Sequence, residues 1–308
     1  MVQSRLRIGT RGSPLALAQA HMVQAQLAAV LGMSADAIEV CTFRTTGDRI
    51  QDRPLSEAGG KGLFTKEIED ALLANEVDLA VHSCKDMPTV LPDGLVLAAF
   101  PEREDVRDVF ISHKAKHPRE LAPGAVVGTA SLRRQAMMKQ LRPDLEVINF
   151  RGNVQTRLRK LEEGEVDATL LALAGLKRLG LTEVATTILP IDEFLPAVGQ
   201  GAIAIETRTD DAATREAVGR INHADTHDAV LAERAFLAVL EGSCRTPIGG
   251  HAVLRGDTLH FRGLIVRPDG REAHATERTG SRADAERLGA DAGAELRSRA
   301  GRDFFAGA

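Results

Sequence analysis

Val81-His82-Ser83-Cys84-Lys85-Asp86-Met87-Pro88 closes an apolar run that begins at Leu79 and Ala80. The run reads as a strand that ends in a cluster of polar groups, and Pro88 bars regular continuation. In open α/β sheets, ligands and chemistry collect at the carboxyl ends of strands. Lys85 beside Asp86 puts a fixed cation and a carboxylate at such an end. Alone, the dipeptide reads as a solvated loop ion pair. The rest of the chain gives it a chemical reading.

Upstream, Leu6-Arg7-Ile8-Gly9-Thr10 reads as a strand and Arg11-Gly12-Ser13-Pro14 turns it into a helix. Ser13 is a suitable N-cap and Pro14 a suitable first helical residue. Apolar Ala16, Ala20, Val23, Leu27 and Val30 recur at helical spacing until Gly32. A second strand covers 38–44. Residues 45–62 are rich in glycine and charge without an apolar period, as in a lid. A helix over 65–74 leads into the opening strand, and another strand covers 95–100.

Downstream, Pro101-Glu102-Arg103-Glu104-Asp105 reads as a charged hinge. Strands follow at 108–112, 125–128, 146–150 and 168–171, with helices at 132–141 and 154–163. Alternating strands and helices predict a parallel α/β unit. The tripeptide Glu76-Val77-Asp78 is echoed by Glu165-Val166-Asp167, each between a helix and a strand. An apolar strand over 202–205 follows Pro196-Ala197-Val198-Gly199-Gln200-Gly201. Beyond residue 222 a helix at 226–240, strands at 252–255, 258–266 and 272–279, and a helix at 283–299 predict a small α+β domain.

With 308 residues, 44% hydrophobic and 27% charged, the chain has the composition of a soluble multidomain protein. A net charge of −4 gives no general attraction to nucleic acid or anionic membranes. Trp and Tyr are absent, which removes the usual base-stacking residues. No apolar run approaches the ~18 residues of a membrane span. Cys41, Cys84 and Cys244 are too sparse for a disulfide framework and suit a reducing cytoplasm. Cys41 reads as a small core residue.

Charge is concentrated between Ser131 and Lys160, where eight basic residues face two acidic ones. Gly128-Thr129-Ala130-Ser131-Leu132-Arg133-Arg134 and Phe150-Arg151-Gly152-Asn153 each join a strand to a helix. Hydroxyls, helix N-terminal N–H groups and guanidinium forks at such junctions form a receptor for carboxylates or phosphates. Arg133, Arg134, Arg151 and Arg11 therefore suggest a polyanionic small molecule, whereas Arg159 and Lys160 read as solvated surface. Cys244 lies in a glycine-rich loop beside Arg245, which favours its thiolate. No spacing of His, Cys or Asp resembles a metal site.

Several stretches together resemble the porphobilinogen deaminase (hydroxymethylbilane synthase) family. They are Ile8-Gly9-Thr10-Arg11-Gly12-Ser13-Pro14-Leu15-Ala16, Val81 to Pro88, Gly128 to Arg134, Arg151-Gly152-Asn153 and Leu195 to Gly201. Glu241-Gly242-Ser243-Cys244 and Pro247-Ile248-Gly249 complete the set, so the likeness runs from about residue 5 to the C-terminal helix. It implies two similar doubly wound domains of the type II periplasmic-binding-protein kind, with the active cleft between them, and a small α+β third domain. The divisions implied are 1–101 with 201–221, 102–200, and 222–308, with 45–62 as a mobile loop.

The resemblance also implies a dipyrromethane cofactor on Cys244 through a thioether. Four porphobilinogen units are then condensed head to tail with loss of ammonia, and water releases the linear tetrapyrrole. Asp86 matches the catalytic carboxylate. Ser13, Lys85, Asp86, Thr129, Ser131, Arg133, Arg134 and Arg157 match cofactor-binding positions. Arg11, Gln19, Lys61, Arg151 and Arg178 match substrate-binding ones. Cys84 stands where many relatives carry a hydrophobe. The implied protein is a cytoplasmic monomer without metal, nucleic-acid or membrane partners. The rival reading is a two-lobed solute-binding protein for a polycarboxylate anion, which has no use for a third-domain thiol.

Overall fold

The computed structural model describes residues 5–49, 62–240, 246–301 and 304–305. The chain first forms β1 (Leu6–Arg11), α1 (Pro14–Leu31), β2 (Ile38–Phe43), α2 (Thr46–Arg49), α3 (Lys66–Leu73), β3 (Leu79–Ser83) and β4 (Leu95–Ala99). Then come β5 (Asp108–Ser112), β6 (Val126–Gly128), α4 (Leu132–Leu141), β7 (Glu146–Ile148), α5 (Val154–Glu162), β8 (Ala168–Ala172), α6 (Leu173–Leu179) and β9 (Thr187–Ile188). The remainder gives β10 (Ile203–Arg208), α7 (Ala212–Gly219), α8 (Ala224–Val239), β11 (Ile248–Arg255), β12 (Thr258–Val266), β13 (Ala273–Ser281) and α9 (Ala285–Ala300). Two compact units result, 1–104 with 202–227 and 105–201 with 228–308.

In the first unit a five-stranded sheet runs β2-β1-β3-β10-β4. β1 is parallel to β2 and β3, while β10 lies antiparallel between β3 and β4. The inner strands are buried on both faces because helices cover both. Ala20, Val23 and Leu27 of α1 pack on Ile8, Leu79 and Val81. Ile68 and Leu72 of α3 pack with Ala80. α1 starts where its residues dictate: Ser13 Oγ accepts from the Ala16 N–H at 3.3 Å, and Pro14 needs no donor partner. Gly32 ends it in the left-handed region, φ 64°.

The second unit holds a sheet of order β7-β6-β8-β5-β9. β6 is parallel to β7 and β8, and β5 is antiparallel to β8 and β9. The two sheets thus share one strand order, each with an antiparallel strand in fourth place. That strand comes late in the chain in the first sheet and early in the second. This is a pair of similar doubly wound sheets, as the family resemblance implies.

The same unit contains the antiparallel meander β11-β12-β13, whose core includes Phe236 of α8, Phe261, and Leu288, Ala292 and Leu296 of α9. Leu264, Val266 and Ala273 of this meander pack into the cluster around Phe110, Met138 and Leu195.

Three helices lack a clear sequence signal. α2 is a single turn inside the stretch read as a loop. α6 follows β8 directly with Ala172 in the capping place and no side-chain cap. α7 is eight residues long, capped by Asp211, which accepts from the Thr214 N–H at 3.0 Å. Cys41 is only partly buried.

Candidate active site

Parallel pairing of β1 with β3 brings the carboxyl ends of both strands together. β1 ends in Arg11, and β3 runs into a single 3-10 turn, Cys84–Asp86. The turn is fixed by its backbone, because Cys84 N–H donates to Ala202 O at 3.0 Å and Met87 N–H to Cys84 O at 3.1 Å. Buried Cys84 anchors it, leaving Lys85 and Asp86 half-buried at the surface. Arg11, Ser13, Gln19, Phe64, Lys85 and Asp86 line one pocket of about 90 Å³, with Ser83, His82 and Thr65 in its wall. Among the described residues no side chain bonds or ion-pairs with the Asp86 carboxylate. A larger open hollow of about 490 Å³ lies by Leu97, Arg215 and His227; it does not include these groups.

Arg11 is already engaged. Its Nε donates to Asp48 Oδ2 at 3.2 Å, its Nη2 pairs with Asp48 Oδ1, and its guanidinium lies 4.3 Å from the Phe64 ring centre. Burial alone raises the Asp48 carboxyl, but Arg11 and the Thr45 hydroxyl (2.7 Å) more than offset it and hold Asp48 below its ordinary value. The one-turn α2, absent from the sequence reading, therefore presets the Arg11 fork. Gln19 Nε2 and Ser83 Oγ are 3.0 Å apart, fixing the helix to the strand end. Ser13 uses its hydroxyl as the α1 cap.

Behind this pocket lie three polar residues that sequence reasoning passed over: Glu69 on α3, His82 on β3 and Glu206 on β10. All are buried, Glu206 completely. His82 Nε2 and Glu206 Oε2 are 3.2 Å apart. Glu69 Oε1 and both Glu206 oxygens have no hydrogen-bond partner among the described residues. Burial pushes the Glu69 carboxyl above its ordinary value, and the Glu206 charge adds to that. Their signal was an acid at an inward strand position (Ala-Ile-Glu206) and one between Ile68 and Leu72.

In the second unit Thr129 and Ser131 shape the β6–α4 junction. Thr129 Oγ1 accepts from Ser131 N–H at 3.1 Å, and Ser131 Oγ accepts from Arg134 N–H at 3.4 Å. Arg133 and Arg134 then turn inward instead of standing open as anion forks. Both are buried against fully buried Asp108, at 2.8 Å (Arg133 Nη2–Oδ2) and 2.6 Å (Arg134 Nη2–Oδ1). Arg133 also donates to Leu195 O at 2.7 Å and Arg134 to Leu170 O at 2.8 Å.

Burial acting alone raises Asp108, but the two guanidiniums overcome it and hold it ionised below its ordinary value. Burial, joined by neighbouring Arg134, lowers Arg133 against the pull of Asp108. The triad keeps one net positive charge, and Arg133 Nε has no partner among the described residues.

In the same unit, Arg151 and Arg157 are half-buried, Arg157 Nε donating to Gly152 O at 2.9 Å. Arg178 Nη2 donates to Gly201 O at 2.7 Å. Arg159 and Lys160 pair with surface Glu163 and Glu165 at 3.2 Å each. Cys244, Lys61 and residues 50–61 of the expected loop lie outside the described residues. Among the described residues no group of His, Cys, Asp and Glu suits a metal ion.

Two family models match the chain. "Porphobilinogen deaminase, dipyromethane cofactor binding domain" covers residues 6–216, and "Porphobilinogen deaminase, C-terminal domain" covers 228–298. The porphobilinogen deaminase of Nitrobacter winogradskyi is 63% identical over 298 residues, 97% of this chain and 94% of that one. That of Paracoccus denitrificans is 57% identical over 303 residues, 98% and 97%. Among solved structures, the methionine-binding protein MetQ is 15% identical, covering 71% of this chain and 89% of that one, TM-score 0.45. A nutrient-binding protein from Burkholderia cenocepacia bound to methionine gives 15%, 69%, 90% and 0.42. With both parts of the family and nearly its full length matched, the chain belongs to the porphobilinogen deaminase family.

Proposed function

We propose that the family's reaction runs at the Asp86 pocket, with Asp86 as its catalytic carboxylate. Membership fixes the activity itself: a transferase reaction joins four porphobilinogen molecules head to tail onto a dipyrromethane primer, and water then releases hydroxymethylbilane for tetrapyrrole biosynthesis. The solute-binding alternative is not favoured.

The observation that carries the site assignment is a half-buried carboxylate, unpaired among the described residues, beside Lys85 in a lined pocket. Loss of ammonia leaves positive charge on the pyrrole that loses it, and a fixed carboxylate stabilises that charge and accepts the proton released afterwards. Lys85 and the Arg11–Phe64 stack supply cationic faces for acetate and propionate groups.

The donor set fits a group with several carboxylates, because the Arg133–Arg134–Asp108 triad keeps net positive charge and a spare Arg133 N–H. Ser13, Lys85, Thr129, Ser131, Arg133, Arg134 and Arg157 hold the dipyrromethane in this reading, with Cys244 as its thioether attachment. Arg11, Gln19, Lys61, Arg151 and Arg178 receive incoming pyrroles. The bound dipyrromethane supplies the nucleophilic carbon; the chain supplies position and field. The three-domain division, a cytoplasmic setting and a monomer free of nucleic acid and membrane complete the proposal. Among the described residues no helix is long and apolar enough to cross a membrane.

Asp86→Asn tests the assignment. It should retain the cofactor mass on the Cys244 peptide while turnover falls by about 10²–10⁴. Near-normal turnover, measured by product release, removes Asp86 from this role.

A further inference from the structure

The Glu69–His82–Glu206 cluster is not used in the reading above. It lies between the sheet and α3, and His82 is both its member and part of the pocket wall. The charged groups around it can be named element by element. β3 contributes His82, and β10 contributes Glu206. Arg208, two residues on, is committed to Leu72 O (2.9 Å), Val77 O (2.7 Å) and Asp211 (2.8 Å). α3 contributes Glu69; its Glu67 is bound by Thr46 N–H at 2.8 Å, and Asp70 is exposed. β1 ends in Arg11, which is held by Asp48. Lys85 and Asp86 lie beyond, in the pocket.

Among the described residues neither Glu69 nor Glu206 pairs with an Arg or Lys. Two carboxylates ionised beside a neutral imidazole would leave two buried negative charges without a counter-cation. Such a state is far more costly than one in which protons are retained. Two protons distributed over the three groups restore neutrality. One of the three, His82, is also among the residues that line the reacting pocket.

We propose that Glu69, Glu206 and His82 form a buried proton store behind the Asp86 pocket, exchanging protons with it through the His82 ring. The role rests on placing the reaction in that pocket. Joining two pyrroles breaks one C–N and one C–H bond and makes one C–C and one N–H bond. One proton goes to the departing amine and one comes off carbon, so the store ends each addition with the complement it began with. Asp86 faces the substrate; the three buried groups act through it and through His82, as positioning and proton-holding residues.

The test pairs carboxyl infrared spectra of the purified chain with pH–rate profiles of Glu206→Gln, Glu69→Gln and His82→Asn. At neutral pH the unsubstituted chain should show a protonated-carboxyl band that Glu69→Gln or Glu206→Gln removes. Glu206→Gln should lower turnover roughly 10²-fold, the low end for a placed proton-transfer group, with KM unchanged and the pH optimum displaced. A chain without the band overturns the proposal. So does a folded Glu206→Gln variant whose pH profile keeps its shape, since a merely structural role lowers activity evenly at every pH. If Glu206→Gln does not fold, Glu69→Gln carries both readouts. Asp86→Asn should keep the band, so failure of the Asp86 assignment and failure of the store are read separately.

Discussion

Asp108 shows how unequal the partners of a buried ion cluster are. It has no solvent exposure and pairs with two guanidiniums, themselves 3% and 5% exposed. Replacing it with Asn leaves two cations facing each other in a dry site, and removing one partner of a buried pair costs about 3–5 kcal/mol. Asp108→Asn should therefore lower the unfolding free energy by that much, read as a lower urea midpoint, with cofactor loading lost as a consequence. Arg133→Leu leaves a simple Asp108–Arg134 pair, so it should hinder loading with a smaller loss of stability. Equal urea midpoints for the two variants would contradict this. The two arginines were legible in the sequence, because a basic pair at a strand–helix junction is a local pattern. Their partner was not: Asp108 lies 26 residues before Arg134, on another strand, and reaches it only through the β5–β8 pairing. The same holds for His82 and Glu206, which meet across antiparallel strands 124 positions apart in sequence.

Elements with their own start and stop signals were the ones the sequence made plain. α1 carries Ser13, Pro14 and Gly32 at its ends, and β12 has the predicted bounds because burial alternates from Thr258 to Ile265. α6 has neither cap nor spacer, and its burial depends on β8, which no local pattern reveals. Close approach between helices is equally hidden. A Cβ placed on Gly289 of α9 would come within 1.9 Å of Ala232 O on α8. Alanine ordinarily favours a helix over glycine by up to ~1 kcal/mol, but here backbone meets backbone and the helices must part. Gly289→Ala should destabilise the second unit by about 1–3 kcal/mol, seen as a lower melting temperature. A neutral or stabilising result would mean that α8 and α9 are not packed this tightly.

Across the whole chain, the pH dependence of stability separates groups that hold the fold from groups kept for another purpose. Asp48, Asp105, Asp108, Asp167 and Asp211 all lie below their ordinary values through Arg, Lys or hydrogen-bond partners. The folded chain therefore binds these protons less readily than the unfolded one. Their stabilisation is complete above the unfolded carboxylate range of roughly 4 and is lost as pH falls through the folded values. Glu295, pushed down to about 2 by Thr276 and Arg278, has the same sign, but its side chain is 36% exposed, so solvent screening leaves it little weight. Glu69 has the opposite sign. Its raised carboxyl contributes stability at acid pH, and that contribution disappears as pH rises through its folded value. Glu69→Gln should then be more stable than the unsubstituted chain at alkaline pH, with the gain vanishing near pH 4, while turnover falls. A stability gain bought with lost activity marks a residue retained for function. Urea unfolding at several pH values checks it: a Glu69→Gln chain that is less stable at every pH would make Glu69 a packing residue instead.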